Sequence, residues 1–184
     1  MSFKSGVTTR VDNAQAILDA LRSLTKKDVL VGIPEEDSER EDVPFGNAGI
    51  GYVNEYGSPA QNIPPRPHLI PGVKSVEEQT VPQLKAAAQA ALDGNAAGAE
   101  RALNRAGTVA ARGVKNYIKA ADFTPLADST VEVRARRGRK GAKAELARRA
   151  AGESPGTTLA KPLYDTGKYL AAITHVVRDK DADS

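Results

Sequence analysis

Cysteine is absent from the 184 residues, which excludes disulfides, thiolate metal sites and a cysteine nucleophile together. Tryptophan is absent as well, and aromatic residues make up only 4% of the chain, so the core has to be built from Ala, Leu, Val and Ile. No apolar run approaches the roughly 18 residues needed to span a bilayer. Residues 1–10 lack the apolar stretch of a secretory signal, so the chain is expected to be soluble, made in the cytoplasm and without a membrane partner. The length suits one domain, 1–184, and would crowd a second. A net charge of +3 is too small to argue for nucleic-acid binding by itself.

What is present reads as alternating short elements. In "VDNAQAILDALRSL" Ala14, Ile17, Leu18, Leu21 and Leu24 recur at helical spacing, with Asp12 or Asn13 available as N-cap. The β-branched run from Asp28 to Ile33, stopped by Pro34, predicts a buried strand. "GNAGIGYVNEYGS" predicts a turn winding into a short helix that ends at Gly57. Two longer helices follow. One carries Val73, Val76, Val81, Leu84, Ala88 and Leu92 on one face, with Pro82 marking a kink or a fresh start. The other carries Leu103, Ala106, Ala110, Val114, Tyr117 and Ile118. From 129 to 161 Gly, Pro and charge dominate and the periodicity weakens, which predicts an arm or long excursion. The pattern returns in "PLYDTGKYLAAITHVVRD", with Asp165 or Thr166 capping a short helix through Leu170 and a last strand from Ile173 to Val177. Both short strands are expected in one sheet, because neither is stable alone.

Enzyme signatures are missing. Gly46, Gly49 and Gly51 do not form G-x-G-x-x-G, and no acidic residue stands where a ribose would be held. His68 and His175 are the only histidines, and neither sits in a spaced cluster of carboxylates. There is no G-x-S-x-G elbow and no P-loop, since "GRKGAK" misses the required spacing. Catalytic residues, cofactors and metals are therefore not expected.

Charge is distributed in two blocks of opposite sign. Residues 35–42 hold six acids (Glu35, Glu36, Asp37, Glu39, Glu41 and Asp42) against Arg40. Residues 134–149 hold eight bases (Arg134, Arg136, Arg137, Arg139, Lys140, Lys143, Arg148 and Arg149) against Glu145. Such blocks are ordinarily solvated loops. The sharper readings are a partner surface or, for the basic block, a phosphate-contacting arm. Aromatics are not interleaved in it, so base stacking is not indicated.

The stretch from Asn54 to Val73, "NEYGSPAQNIPPRPHLIPGV", concentrates five of the eleven prolines (Pro59, Pro64, Pro65, Pro67 and Pro71) within thirteen residues. It cannot be helix or central strand throughout, because proline lacks the N–H and fixes φ. Ile63, Leu69, Ile70 and Val73 are interleaved, so it is no flexible linker either. "YVNEYGSPAQNIPPRPHLIPGV" resembles the Y-x-x-E-x-G element and proline-rich I-P-x-R-P-F-L of the tail-component and virion-morphogenesis proteins of tailed bacteriophages and Mu-like prophages. "ALNRAG", "FTPLADSTVEVRARRGRKG" and "KPLYDTGKYLAAITHVV" resemble that family's later blocks: a helix, a P-L-x-x-S-T turn, a basic stretch, and an L-x-D-T-G element before the last strand. The series runs in order from about 29 to 177. It departs at His68, where Phe is commoner, and in an insert over 142–158.

The resemblance implies an α+β fold, a small mostly antiparallel sheet packed against two or three helices, and the element pattern puts the core at about 10–128 and 162–178 and the basic arm or excursion at about 129–161. It implies a structural virion protein of the phage neck or tail end, forming a ring, commonly a hexamer, that completes the tail and joins it to the DNA-filled head. Its partners would be neighbouring neck, connector and tail-tube proteins, with genomic DNA at most passing through the channel, after assembly in the host cytoplasm. The alternative is a nucleic-acid-binding protein using 134–149. Expected subunit contacts are the stiff segment with Ile63, Pro64, Pro65, Arg66, Pro67, Leu69 and Ile70. The basic residues Arg134, Arg136, Arg137 and Arg139 and the acidic Glu35, Glu36 and Asp37 complete that expectation. Ile63, Leu69 and Ile70 are expected to be buried only in the assembly.

Overall fold

A 25-residue helix with small residues along one side organises the chain, seen in a computed structural model that describes residues 14–39 and 45–180. In chain order the elements are α1 (Ala14–Thr25), β1 (Lys27–Gly32), α2 (Gly46–Tyr56), α3 (Leu69–Lys74), α4 (Glu77–Leu92) and α5 (Ala96–Ala120). They continue with α6 (Asp128–Arg136), α7 (Lys140–Ala150), α8 (Lys168–Ala172) and β2 (Thr174–Asp179). The fold is α+β, with eight helices and one two-stranded antiparallel sheet among the described residues. The candidate caps Asp12 and Asn13, and Arg40, Glu41 and Asp42 of the acidic block, lie outside the described residues.

The expected face of α5 is the buried one: Leu103, Ala106, Ala110, Val114 and Ile118 all face the core. Asn95 caps the helix by accepting from the Gly98 N–H at 2.8 Å. α4 folds back beside α5 and packs Ala87 against Ala102 and Leu103, with Ala91 also buried. α3 lies directly on α5, because a Cβ at Gly72 would stand 2.6 Å from Val114 Cα and one at Gly113 would stand 2.8 Å from the Gly72 carbonyl oxygen. Two facing glycines thus let backbones touch where an aromatic-poor chain has no large side chains to fill a gap. Fully burying Val114 and Ile118 contributes roughly 1.5–3 kcal/mol each.

The continuous apolar face expected from 73 to 92 is divided in two. Val76 has φ −119° and ψ 19°, which separates α3 from α4. Leu84 and Leu92 are exposed, since α4 approaches α5 through its alanines instead. Pro82 lies inside α4 and does not start it. Along α1 the expected helix forms, yet none of its residues is buried, and only Leu24 of its apolar face packs against the core.

β1 and β2 pair antiparallel in one sheet, with Val29 opposite Val177 and Val31 opposite His175. Val29, Val31 and Val177 face the core, while Leu30 and its partner Val176 face outward. The sheet rests on α5 where Gly107 leaves room for the His175 ring, which a Cβ would meet at 2.2 Å.

Residues 129–161 are not an extended arm. They form the α6–α7 helical hairpin with a small core of its own, Leu126, Val131, Ala135, Ala142 and Ala160, joined by Leu146. Helices form here because Ala, Arg, Lys and Glu are good helix formers whatever their charge.

Candidate functional site

The proline segment begins where α2 ends at Gly57. A short loop follows, closed by reciprocal backbone bonds: Ser58 N–H donates to the Ile63 carbonyl at 2.8 Å and Ile63 N–H to the Ser58 carbonyl at 3.0 Å. Pro59–Gln61 makes one 3-10 turn inside it, and Asn62 takes the left-handed conformation that Asn tolerates better than most residues. Arg66 N–H then donates to the Asn54 carbonyl at 2.6 Å, tying the segment to the last turns of α2.

Glu55, on the buried face of α2, reaches across to the start of α3. Its Oε2 accepts from the backbone N–H groups of His68 at 2.7 Å and Leu69 at 2.9 Å, and its Oε1 accepts from Ile70 at 3.3 Å. These are the unsatisfied donors that open any helix, and α3 has no capping side chain of its own. Glu55 is 6% exposed, so the bonds form out of water, where charge assistance strengthens them.

The His68 ring is fully buried between two partners. The Arg66 carbonyl can only accept, so His68 Nδ1–H donates to it at 2.8 Å. Nε2 is then the acceptor, and Tyr169 O–H donates to it at 2.5 Å. Burial is the largest influence on the imidazole and lowers its pKa, against the opposing Arg66 carbonyl and Glu55 charge, so the ring is neutral. Burial, with the Glu55 charge, pushes the Tyr169 phenol above its ordinary range. Arg66 completes the knot, donating from Nε to the Thr124 carbonyl at 2.9 Å and from Nη2 to the Pro125 carbonyl at 3.0 Å.

One buried polar node thus joins α2, the proline segment, the loop after α5, and α8. Arg66 and Tyr169 also line a cleft of about 660 Å³, walled by Ile50, Val53, Ile63 and Leu163 and bordered by Arg134 of the hairpin. Chemically the node is committed: both nitrogens of His68 and both oxygens of Glu55 hold partners within the chain. Among the described residues no group of three His, Cys, Asp or Glu side chains is placed to hold a metal ion. No helix there is long and apolar enough to cross a membrane.

A second buried carboxylate anchors the hairpin. Glu145 is 0% exposed and accepts from Gly156 N–H at 2.7 Å, Arg149 Nε at 3.0 Å and Arg148 Nη1 at 3.0 Å. The Gly156 bond holds its pKa below the usual carboxylate value, helped by Arg149 and Arg148 and opposed by burial. Arg149 also reaches the Leu126 carbonyl and Asp128, and Arg148 bonds Glu153.

The basic block therefore divides. Arg134 donates to the carbonyls of Lys161 and Tyr164, and Arg139 pairs with Asp165 at 2.8 Å. With Arg148 and Arg149, four of the eight bases hold the hairpin together. Arg136, Arg137, Lys140 and Lys143 are exposed and have no ion pair or side-chain hydrogen bond among the described residues.

The remaining expected contact residues scatter. Pro65, Pro67 and Ile70 are exposed, while Ile63 and Pro64 are half-buried in the cleft wall. Arg66 is buried, and Leu69 packs against the core cluster of Val114, Ile118, Tyr169, Leu170 and Ile173. Leu69 is thus half-buried within the chain itself, so its burial does not depend wholly on a neighbour. Glu35, Glu36 and Asp37 form an exposed 3-10 turn. The node residues Glu55, His68 and Tyr169, and the anchor Glu145, were not singled out by sequence reasoning as site residues. For Glu55 the available signal was the acid of the Y-x-x-E-x-G element itself, three residues after Tyr52. No family model, curated protein or solved structure matches the chain.

Proposed function

We propose that this chain is a structural virion protein of the neck or tail end of a tailed bacteriophage, a ring-forming part that completes the tail and joins it to the filled head. The observation that carries the reading is the convergence of the motif series. Glu55 comes from the Y-x-x-E-x-G element, Arg66 and His68 from the proline-rich block, Thr124 and Pro125 from the stretch that opens the P-L-x-x-S-T turn, and Tyr169 follows the D-T-G block. All six meet in one hydrogen-bonded node, whose side chains Glu55, Arg66, His68 and Tyr169 are buried. A series of blocks that share one internal framework is what a common architecture needs, and their polar groups fix backbone to backbone, as suits a part that bears load. Neck, connector and tail-tube proteins would be its neighbours, and the virion its final location.

The test is assembly. Particles made without this chain should accumulate as filled heads and separate tails, and adding the purified protein should restore joining. Complete, infectious particles lacking the chain would overturn the reading.

A second reading, binding to nucleic acid through 134–149, is favoured by the four unpartnered cations at the hairpin tip. It predicts affinity for duplex DNA that falls steeply with salt, with a slope near −0.9 per phosphate contacted. Four available cations limit that slope to about half of what eight would give.

A further inference from the structure

Two surfaces of this chain are complementary to each other and do not meet within it. The first combines the acidic turn with one face of α2. Ser38 fastens them together: Asn47 N–H donates to its carbonyl at 2.6 Å and Ala48 N–H to its Oγ at 3.0 Å, while Asn47 Nδ2 reaches the Asp37 carbonyl at 3.1 Å. Glu35, Glu36 and Asp37 are thereby held at the start of α2, next to Phe45. Phe45, Tyr52 and Tyr56 then follow at helical spacing along the outer face. They are 53%, 67% and 62% exposed, in a chain with only eight Phe and Tyr in all. The Tyr52 and Tyr56 rings lie 5.0 Å apart and form one ledge.

The second surface is the tip of the α6–α7 hairpin. Arg136, Arg137, Lys140 and Lys143 surround it, and a shallow groove beside them is floored by Ala135 and Leu146, with Glu132 at its edge. None of the four cations, and no carboxylate of Glu35, Glu36 and Asp37, has an ion pair or hydrogen-bond partner among the described residues.

We propose that the acidic turn and aromatic ledge of one copy receive the basic hairpin tip of a second copy, head to tail. Charge complementarity selects the occupant. A nucleic acid on the tip would satisfy the cations but would leave the acidic turn and the aromatic ledge without a partner. A second copy satisfies both surfaces at once, with carboxylates meeting guanidinium and ammonium groups and Arg136 or Arg137 able to lie over the tyrosine rings. Aromatic and Arg side chains are also the residue types enriched in protein interfaces. Because the two surfaces are different patches, the contact is heterologous, and heterologous contacts close into rings or run on as filaments. The contact deepens the ring reading above and rests on it only for closure.

The test is charge exchange on the full-length protein, followed by sedimentation velocity at low and high salt. One variant carries Arg136→Glu, Arg137→Glu and Lys140→Glu; the other carries Glu35→Lys, Glu36→Lys and Asp37→Lys. All these side chains are exposed, and a thermal melt matching the parent's shows that each variant folds. Each variant alone should associate at least about tenfold more weakly than the parent. Mixing the two should restore association, because every tip then meets a turn of opposite charge, and combining all six changes in one chain should restore it as well. Tyr52→Ala with Tyr56→Ala should weaken it at any salt concentration. Parent-like association of either charge variant alone would overturn the contact while leaving a ring built elsewhere intact, as would failure of the mixture to recover. A parent that stays monomeric while binding a short DNA duplex through the tip cations would replace the contact with the nucleic-acid reading. Head-to-tail joining in the particle assay is read separately, so the two conclusions fail independently.

Discussion

The Tyr169 hydroxyl donates to His68 Nε2 at 2.5 Å, across 101 positions of sequence. The two rings meet edge to face, with centroids 5.6 Å apart. This bond closes the chain's last quarter onto the proline segment, and its cost when broken is measurable. His68→Phe keeps an aromatic ring but leaves the Tyr169 hydroxyl and the Arg66 carbonyl unsatisfied. It should cost roughly 1–3 kcal/mol. Adding Tyr169→Phe removes one orphan and should recover part of that loss, giving a coupling of about 1 kcal/mol in a urea-denaturation cycle. Simple additivity of the two losses would mean that the bond contributes nothing.

Glu55→Gln tests the cap on α3. The amide keeps one acceptor but turns an NH2 donor toward backbone N–H groups that can only donate, leaving them without an acceptor. A loss of roughly 1–3 kcal/mol is expected, with an unchanged denaturant m-value. A loss under about 0.5 kcal/mol would show that α3 is held by its packing alone.

Acid sensitivity follows from two groups with opposite chemistry and the same sign. Burial lowers the His68 pKa from the ordinary 6.5 in the folded protein. The unfolded chain therefore takes up the proton first, and the stability that His68 contributes is fully present above pH 6.5 and lost as pH falls toward the lowered folded value. Glu145 is also lowered, from 4.5, so its contribution is present above that pH and lost below it. Denaturation midpoints should be flat between neutrality and pH 10.0 and decline in two stages on acidification. His68→Phe should abolish the first stage and spare the second. Tyr169 acts at the other end: its raised pKa gives stability that is present below pH 10.0 and lost above it.

Removing the hairpin's anchor should unfold it locally. Glu145→Ala leaves the Arg149 guanidinium and the Gly156 N–H without their carboxylate, and breaking a buried pair from one side costs about 3–5 kcal/mol. The hairpin has its own small core, so hydrogen exchange should accelerate across 128–160 while α5 stays protected. Uniform acceleration would show that hairpin and core unfold together.

What the sequence disclosed and what it hid differ by range. The pairing of β1 with β2, the end of α2 at Gly57 and the buried face of α5 were legible, because each depends on β-branched runs, a helix-ending glycine or apolar spacing within one element. The hairpin was not. Its buried face is Val131, Ala135 and Ala142 followed by a buried glutamate, so an acid stands where periodicity expects an apolar residue, and arginines obscure the alanines around it. The node was hidden for another reason. Glu55 and His68 are 13 residues apart and Tyr169 lies 101 further on, and no local pattern reports that distance. The proline segment looked like a stiff outer edge because five prolines announce rigidity, but rigidity serves equally to thread Arg66 and His68 inward while Pro65 and Pro67 face out.

That alternation separates two neighbours that sequence alone treats alike. Leu69 packs against Val114, Ile118 and Ile173 through the core cluster, whereas Ile70 is 65% exposed. Leu69→Asp would place a carboxylate against apolar side chains a few ångströms from Glu55, whose oxygens already hold the Leu69 and Ile70 N–H groups. It should cost more than about 2 kcal/mol and raise the fraction unfolded whether or not a partner is present. Ile70→Asp loses no intramolecular packing of that kind and should stay within about 0.5 kcal/mol of the parent. A defect in self-association or head-to-tail joining caused by Ile70→Asp therefore reports on a contact between subunits. The same defect caused by Leu69→Asp reports on folding. Urea denaturation of both variants decides the assignment, and equal stabilities would place Leu69 outside the core.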